Sequence, residues 1–321
     1  MRKTLLLAGL LALALLPACA QAPKQEVKVL YWNIQNGMWS CQDSEYQAFT
    51  AWVASQNPDI CIFCEASSIY YDGSSKTCPE EERYLPEHWG ELAARYGHPY
   101  WFKSAQRDNY PQVVTSRYPI ESMGLFTGEE ADSLISHGAG WARILPEGLS
   151  KPLNIVSCHL KPFKYGYKIP IEAREESAAR FEGEQFRLRE VQYLMNHTVR
   201  TAAKPDEELW LMAGDFNAIS ALDNFHYGET DPRWFMVHDY MAGETSPYRD
   251  LVARMHPGTF CQSHVKGRRI DFIYVTQPLL DACSQADVLL DGYTTPERSE
   301  QVENFWLPSD HFPILMVFKL D

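Results

Sequence analysis

The sequence predicts an α/β fold of two packed, mixed β-sheets with helices on their outer faces. Three observations carry this expectation. Short apolar runs of strand length recur from Val27 onward. Helical patterns separate only some of them, whereas a doubly wound parallel sheet wants a helix after nearly every strand. The 321 residues, 45% of them hydrophobic, contain no internal repeat or low-complexity linker, so one large domain is expected.

In chain order, MRKTLLLAGLLALALLPACA comes first: a basic start, an apolar run too short to span a bilayer comfortably, and small residues at its end. That is the pattern of an export signal. Leu16-Pro17-Ala18-Cys19 resembles a bacterial lipobox that would lipidate Cys19, while Ala18-Cys19-Ala20 also fits an A-x-A cleavage site. The lipobox is favoured, because a cysteine directly after the apolar run has few other reasons to be there. Residues 1–18 are therefore expected to be a lipoprotein-type signal peptide, 19–26 a tether and 27–321 the folded domain. A cell-envelope lipoprotein, in the outer membrane or periplasm, follows; the alternative is a soluble periplasmic or secreted protein.

The strand-like runs are VKVLYWNI, DICIFC, QVVTS, GWARIL, LNIVSC, ELWLMA, IDFIYV and ILMVFK. Asp43 is placed to cap a helix through Gln56 that Asn57-Pro58 stops, and another helix is expected near Pro86 to Tyr96. The longest helical pattern is IEAREESAARFEGEQFRLREVQYLMN, with Phe181, Phe186, Leu188, Val191 and Leu194 among its charges. It reads as one amphipathic helix over a sheet, its charge run a solvated face. Ser67 to Tyr110, long, polar and aromatic, is expected to hold surface loops near a site mouth.

Eight cysteines are present. In an exported protein Cys41 and Cys78, in loop-like segments, are the first candidates for a disulfide. Cys61 and Cys64 form a C-x-x-C inside a strand-like run with no second pair, which reads as buried thiols rather than a zinc site. The formal charge is −13, and loss of Arg2 and Lys3 with the signal makes the mature chain more acidic still. Such a balance repels phosphate backbones and argues against long duplex DNA as a main substrate. A monomer is expected.

Polar residues stand at strand end after strand end: Asn33 in VLYWNI, Glu65 in CIFCEA, His159 in SCHL, Asp215 and Asn217 in GDFN, Asp271 opening IDFIYV, and Ser309-Asp310-His311 before the last strand. Each alone has an ordinary account as a turn former, cap or core histidine. Together they are residue types that bind hard cations and phosphates.

The ordered set resembles the endonuclease/exonuclease/phosphatase superfamily of metal-dependent phosphoester hydrolases, from about Val27 to Phe318. TSRYPI, with Ser116, Arg117 and Pro119, resembles a structural motif of its bacterial members. Cys64 departs from the pattern, since the family often has Gln before the glutamate. The resemblance implies a four-layered α/β sandwich, with Asn33, Glu65 and Asp310 at Mg²⁺ or Mn²⁺. It implies that Asp215 activates water and Asn217 steadies it. It also implies that His311, paired with Asp271, contacts the phosphate, and that His159 contacts the phosphate or protonates the leaving oxygen. His159 is similar to the pancreatic deoxyribonuclease, sphingomyelinase and inositol-phosphatase branches.

The expected function is Mg²⁺-dependent hydrolysis of phosphodiesters or phosphomonoesters outside the cytoplasm, by in-line attack of water. A nuclease and a sphingomyelinase-like lipid phosphodiesterase are the variants, because Tyr70-Tyr71, Tyr100-Trp101-Phe102 and Phe163 to Tyr167 suit a base, a sugar phosphate or a lipid headgroup. The reading from another class is a catalytically silent surface binding module.

Overall fold

Apolar runs that bury both faces form the centres of two six-stranded sheets. The computed structural model describes residues 24–38, 46–67, 88–108, 110–128, 134–300 and 305–321. In chain order the strands are β1 (Gln25–Asn33), β2 (Ile60–Cys64), β3 (Tyr100–Lys103), β4 (Val113–Ser116), β5 (Ile120–Phe126), β6 (Ala139–Ile144) and β7 (Leu153–His159). They continue with β8 (Leu209–Asp215), β9 (Tyr248–Asp250), β10 (Asp271–Thr276), β11 (Cys283–Val288), β12 (Glu297–Arg298), β13 (Trp306–Leu307) and β14 (Ile314–Leu320).

One sheet runs β11-β14-β1-β2-β4-β3 and the other β5-β6-β7-β8-β10-β9. Among the described residues the parallel pairs are β1–β2 and β7–β8; their other neighbours are antiparallel. Alternation sorts the side chains into layers. Val27, Val29 and Tyr31 of β1 meet Ile155, Leu211, Ala213 and Ile273 of the opposite sheet in one inter-sheet core. On the outer face, Leu30 and Trp32 pack beneath Phe49, Trp52, Trp89 and Leu92 of the helices Gln47–Gln56 and Trp89–Ala94. Across the molecule, Val156, Trp210 and Met212 pack beneath Val191, Leu194 and Met195 of the helix Glu182–His197. Helix, sheet, sheet, helix is the expected four-layered sandwich.

The expected runs became β1, β2, β4, β6, β7, β8, β10 and β14. Cys61 and Cys64 are buried on opposite faces of β2, one under the helices and one between the sheets, so they cannot share an ion. TSRYPI is structural: Arg117 pairs with Asp59 at 3.1 Å, and Tyr118 N–H donates to Ser116 Oγ at 2.9 Å. The signal peptide, Cys19, Asp43, Cys41, Cys78 and Tyr70-Tyr71 lie outside the described residues.

Three expectations need correction. The pattern from Ile171 to Asn196 is not one helix: Arg174–Ala179 ends before Phe181, whose φ of 59° is left-handed, and a second helix starts at Glu182. Phe181 is thereby turned inward, edge-on to Trp234 at 4.7 Å with Arg233 over its ring at 4.1 Å. Nor is the charge run fully solvated, for Glu184, Arg187 and Glu190 are buried. Arg187 donates to Lys161 O and Phe163 O, both at 2.8 Å, while Glu190 accepts from Lys161 N–H and Ser136 N–H. Loop backbone that would otherwise lack partners explains why charge was drawn inside. The helix expected near Pro86 to Tyr96 is Trp89–Ala94, while residues 100–103, within the segment expected to hold loops, form an edge strand.

Candidate active site

The two parallel pairs end side by side, and ligand sites in α/β sheets favour the carboxyl ends of parallel strands. Register sets the first row of groups: His159 of β7 stands opposite Asp215 of β8, and Asp215 opposite Asp271 of β10. Residues in direct register share a face. From the other sheet, β1 ends on Asn33 and β2 is followed by Glu65, whose φ of 53° departs from the extended chain. Backbone held in the left-handed region at Glu65, Asn36 and Asn217 clusters at this rim, where strain is commonly stored by functional sites.

All eight expected residues converge. Asn33, wholly buried, aims Nδ2 at Glu65 Oε1 (3.3 Å) and Asp215 Oδ2 (3.2 Å), with His311 Nε2 3.5 Å away, while its oxygen accepts from Gln35 N–H. Two carboxylates on one side fix that orientation, since only the amide NH₂ can donate to them. His311 Nε2 is 3.7 Å from Asp215 Oδ2 and 3.8 Å from Asp310 Oδ1. Its Nδ1 lies 2.7 Å from Asp271 Oδ2, and Asp271 also accepts from Tyr31 (2.6 Å) and Ser263 (2.7 Å). His159 Nε2 is 3.6 Å from Asp215 Oδ2, and Asn217 N–H donates to Asp215 Oδ1 at 2.9 Å.

Glu65, His159, Asp215, Asn217, Asp310 and His311 line a cleft of about 480 Å³. Asn33 and Asp271 sit behind its wall, each 0% exposed. Groups absent from the sequence reading join them. Asn36 lines the cleft and donates its N–H to Glu65 Oε2 at 2.9 Å. His137, bonded to Asp108 at 2.5 Å, lies 4.3 Å ring to ring from His159, and His264 lies 3.4 Å from Asp310. Tyr31 was findable, since it shares a face of β1 with Asn33; the two histidines sit in loops whose sequence carries no such period.

Charge is concentrated where water is scarce. Burial, then repulsion from Asp310, raises the Glu65 carboxyl above its ordinary range. Burial likewise raises Asp215 well above the usual carboxylate value, with Asp271 and Glu65 adding to it against His311. Burial works against charge on His311, yet Asp271 and Asp310 outweigh it and hold the ring's pKa well above the ordinary histidine value. His159 is driven well below that value by burial and by His137 and His311.

A divalent cation fits this donor set. Ligand atoms of Glu65, His159 and Asp215 lie within 4.8 Å of one another, as do those of His264, Asp310 and His311. The Asn36 side-chain oxygen, buried beside Glu65, has no hydrogen-bond partner among the described residues and supplies a further hard donor. A cation would also offset the desolvated carboxylates.

Solved structures share this architecture. An AP endonuclease from Archaeoglobus fulgidus matches 92% of this chain and 100% of its own, at 16% identity and a TM-score of 0.58. An endonuclease/exonuclease/phosphatase from Beutenbergia cavernae matches 92% of this chain and 72% of its own, at 15% identity and a TM-score of 0.59. The 3′ phosphatase NExo from Neisseria, bound to a product DNA hairpin, matches 91% and 99%, at 15% identity and a TM-score of 0.56. No curated protein matches the sequence. The family model described as Endonuclease/Exonuclease/phosphatase family matches residues 30–311, and with that span the chain belongs to this family of metal-dependent phosphoester hydrolases.

Proposed function

We propose that the protein is an exported, Mg²⁺-dependent hydrolase of phosphodiesters or phosphomonoesters, working by in-line attack of water. The observation that carries the reading is Asp215, buried between His159, His311 and Asn33 at the end of β8. A phosphoester resists attack because its oxygens repel the nucleophile and its leaving oxygen is poor. Mg²⁺ or Mn²⁺, held by Glu65 and Asp310 with Asn36 or Asn33 nearby, would supply positive charge against those oxygens.

The chain's own groups divide the remaining work. Asp215 takes the proton from the attacking water, oriented by the N–H of Asn217. His311, kept charged by Asp271, presents an N–H to a phosphoryl oxygen. His159, its pKa lowered by burial, contacts the phosphate from the other side or passes a proton to the leaving oxygen as that P–O bond breaks. A silent binding module would have no need to keep all eight groups in one network.

The test is turnover of a panel of single- and double-stranded DNA, RNA, sphingomyelin, inositol phosphates and sugar phosphates, with Mg²⁺ and with chelator. Mg²⁺-dependent release of product from one class supports the reading. Metal binding without turnover of any of them would move the protein to the binding class. For location, we propose lipidation at Cys19, which mass spectrometry of the mature N-terminus tests; an unmodified terminus at Gln21 would place it with the soluble exported proteins.

A further inference from the structure

Phe163 is the odd residue at the cleft rim. It is 63% exposed, an unusual state for a phenylalanine, and its φ of 69° lies in the left-handed region that non-glycine residues avoid. Neither feature is left to chance. Arg187, 1% exposed, donates to the carbonyls of Lys161 and Phe163 on either side of the turn. The Lys164 carbonyl accepts from Gly183 N–H at 3.1 Å, and a Cβ on Gly183 would stand 2.6 Å from that carbonyl. Beneath the ring, Tyr165 stacks parallel at 5.3 Å and 5°, itself backed by Lys161 and Arg174 at 4.6 Å. A buried guanidinium and a helix glycine thus hold one aromatic ring out in solvent over a rigid base.

The ring stands between two concavities. On one side is the catalytic cleft; on the other is a groove of about 140 Å³ that shares Phe163, Asn217 and Ile270 with it. That volume suits one ring or one phosphate. Lys164, Arg187 and Arg268 line the groove against Glu184 and Glu229, a local positive balance in a chain of charge −13. Glu184 is already engaged by Arg187. Lys164 and Arg268 are exposed cations.

We propose that Phe163 and this groove bind the nucleotide next to the scissile phosphate: an unstacked base lies on Phe163, and the following phosphate meets Arg268 and Lys164. This rests on the phosphoester-hydrolase reading of the cleft. A lipid tail would want a continuous apolar wall, which the charged groove lacks. A sugar polyphosphate would use the cations but gain nothing from the exposed ring. Single strands suit a stacking platform, because their bases are free to splay onto it.

The experiment is fluorescence anisotropy of a labelled single-stranded DNA pentamer of thymidylate, in chelator so that nothing is hydrolysed, beside an abasic pentamer of equal charge. Wild type, Phe163→Ala, Arg268→Ala and the exposed-surface control Leu290→Ala are compared across a salt series, with thermal unfolding to establish that each is folded. Phe163→Ala is expected to weaken thymidylate binding about 10-fold or more, as loss of one stacked base does. Wild type should bind the abasic pentamer equally weakly, and Phe163→Ala should not distinguish the two. Arg268→Ala should lower the slope of log K against log salt by about 0.7. Equal affinity of wild type for both pentamers, or no saturable binding to either, overturns the subsite. Because no turnover is involved, a panel with no product and intact base-dependent binding would defeat the hydrolase reading alone.

Discussion

Asp271 and His311 are joined through the ring's Nδ1 at 2.7 Å, and the carboxylate that makes this bond is held by two further donors, Tyr31 from the opposite sheet and Ser263 from the preceding loop. Three donors converge on one acceptor-only group with no exposed surface. The His311 ring is therefore oriented by the packing of the two sheets through Asp271.

Asp271→Asn places an NH₂ where hydroxyl and imidazole donors already point. It is expected to lower kcat about 10- to 100-fold, the usual loss when a carboxylate behind a functional histidine is removed, and to cost about 1–3 kcal/mol in urea unfolding through unsatisfied donors. Tyr31→Phe removes one donor and leaves the other two, so its kcat should stay within a few-fold of wild type. Equal loss in both variants would mean that the tyrosine, not the Asp–His bond, sets the geometry.

Asp215→Asn keeps size but removes the charge that polarises water. The expected fall in kcat is about 10²-fold or more. Melting temperature should hold or rise, because burial and the neighbouring Asp271 and Glu65 make this charge costly in the folded state. Retained rate with lowered stability would reduce GDFN to a turn and require another base.

How much of this was legible follows from what each residue's neighbours contribute. Central strands such as β8, LWLMAGD, are buried on both faces and read as apolar runs. β5, IESMGLF, is an edge strand with a register shift between Ser122 and Gly124, and no residue of it is fully buried, so nothing marked it. That the eight candidate positions would come together was readable because each ends or adjoins a strand within a recognisable motif. His137 and His264 take their meaning from partners far along the chain, Asp108 and Asp310, which no local pattern announces. The buried charges of the helix Glu182–His197 have the spacing of a solvated stripe; only the loops packed on them reverse that reading.

Glu65→Gln tests the ion separately from the chemistry. Ligand binding to the folded state alone raises apparent stability by mass action, so Mg²⁺ should raise the melting temperature of wild type and leave that of the variant unmoved. Without metal the variant should be at least as stable, because burial and Asp310 disfavour the Glu65 charge. Isothermal titration with Mg²⁺ gives the same comparison directly. A Gln variant that binds Mg²⁺ as wild type does would place the ion elsewhere, with His264 and Asp310 the next pair to change.

Far from the cleft, His98 predicts how stability depends on pH. Its ring is fully buried, with Nε2 2.9 Å from Pro58 O and Nδ1 2.9 Å from Thr115 Oγ1. A carbonyl only accepts, so Nε2 carries the proton and Nδ1 accepts from the threonine. Burial lowers the ring's pKa to about 4. Unfolded, the same histidine takes up a proton near pH 6.5, so between these values the unfolded state binds more protons and stability falls as pH drops. The stabilisation is complete above about pH 6.5 and is lost progressively down to about 4. Buried carboxylates with raised pKa, Glu184 and Glu190 among them, act in the opposite sense, so the comparison must be differential. His98→Gln keeps an amide donor and acceptor without titrating. Between pH 7 and 4.5, measured by urea unfolding, wild type should lose about 2 kcal/mol more than the variant. Identical pH profiles would show that the histidine is protonated in the folded protein, and its bond to Pro58 would then need a different account.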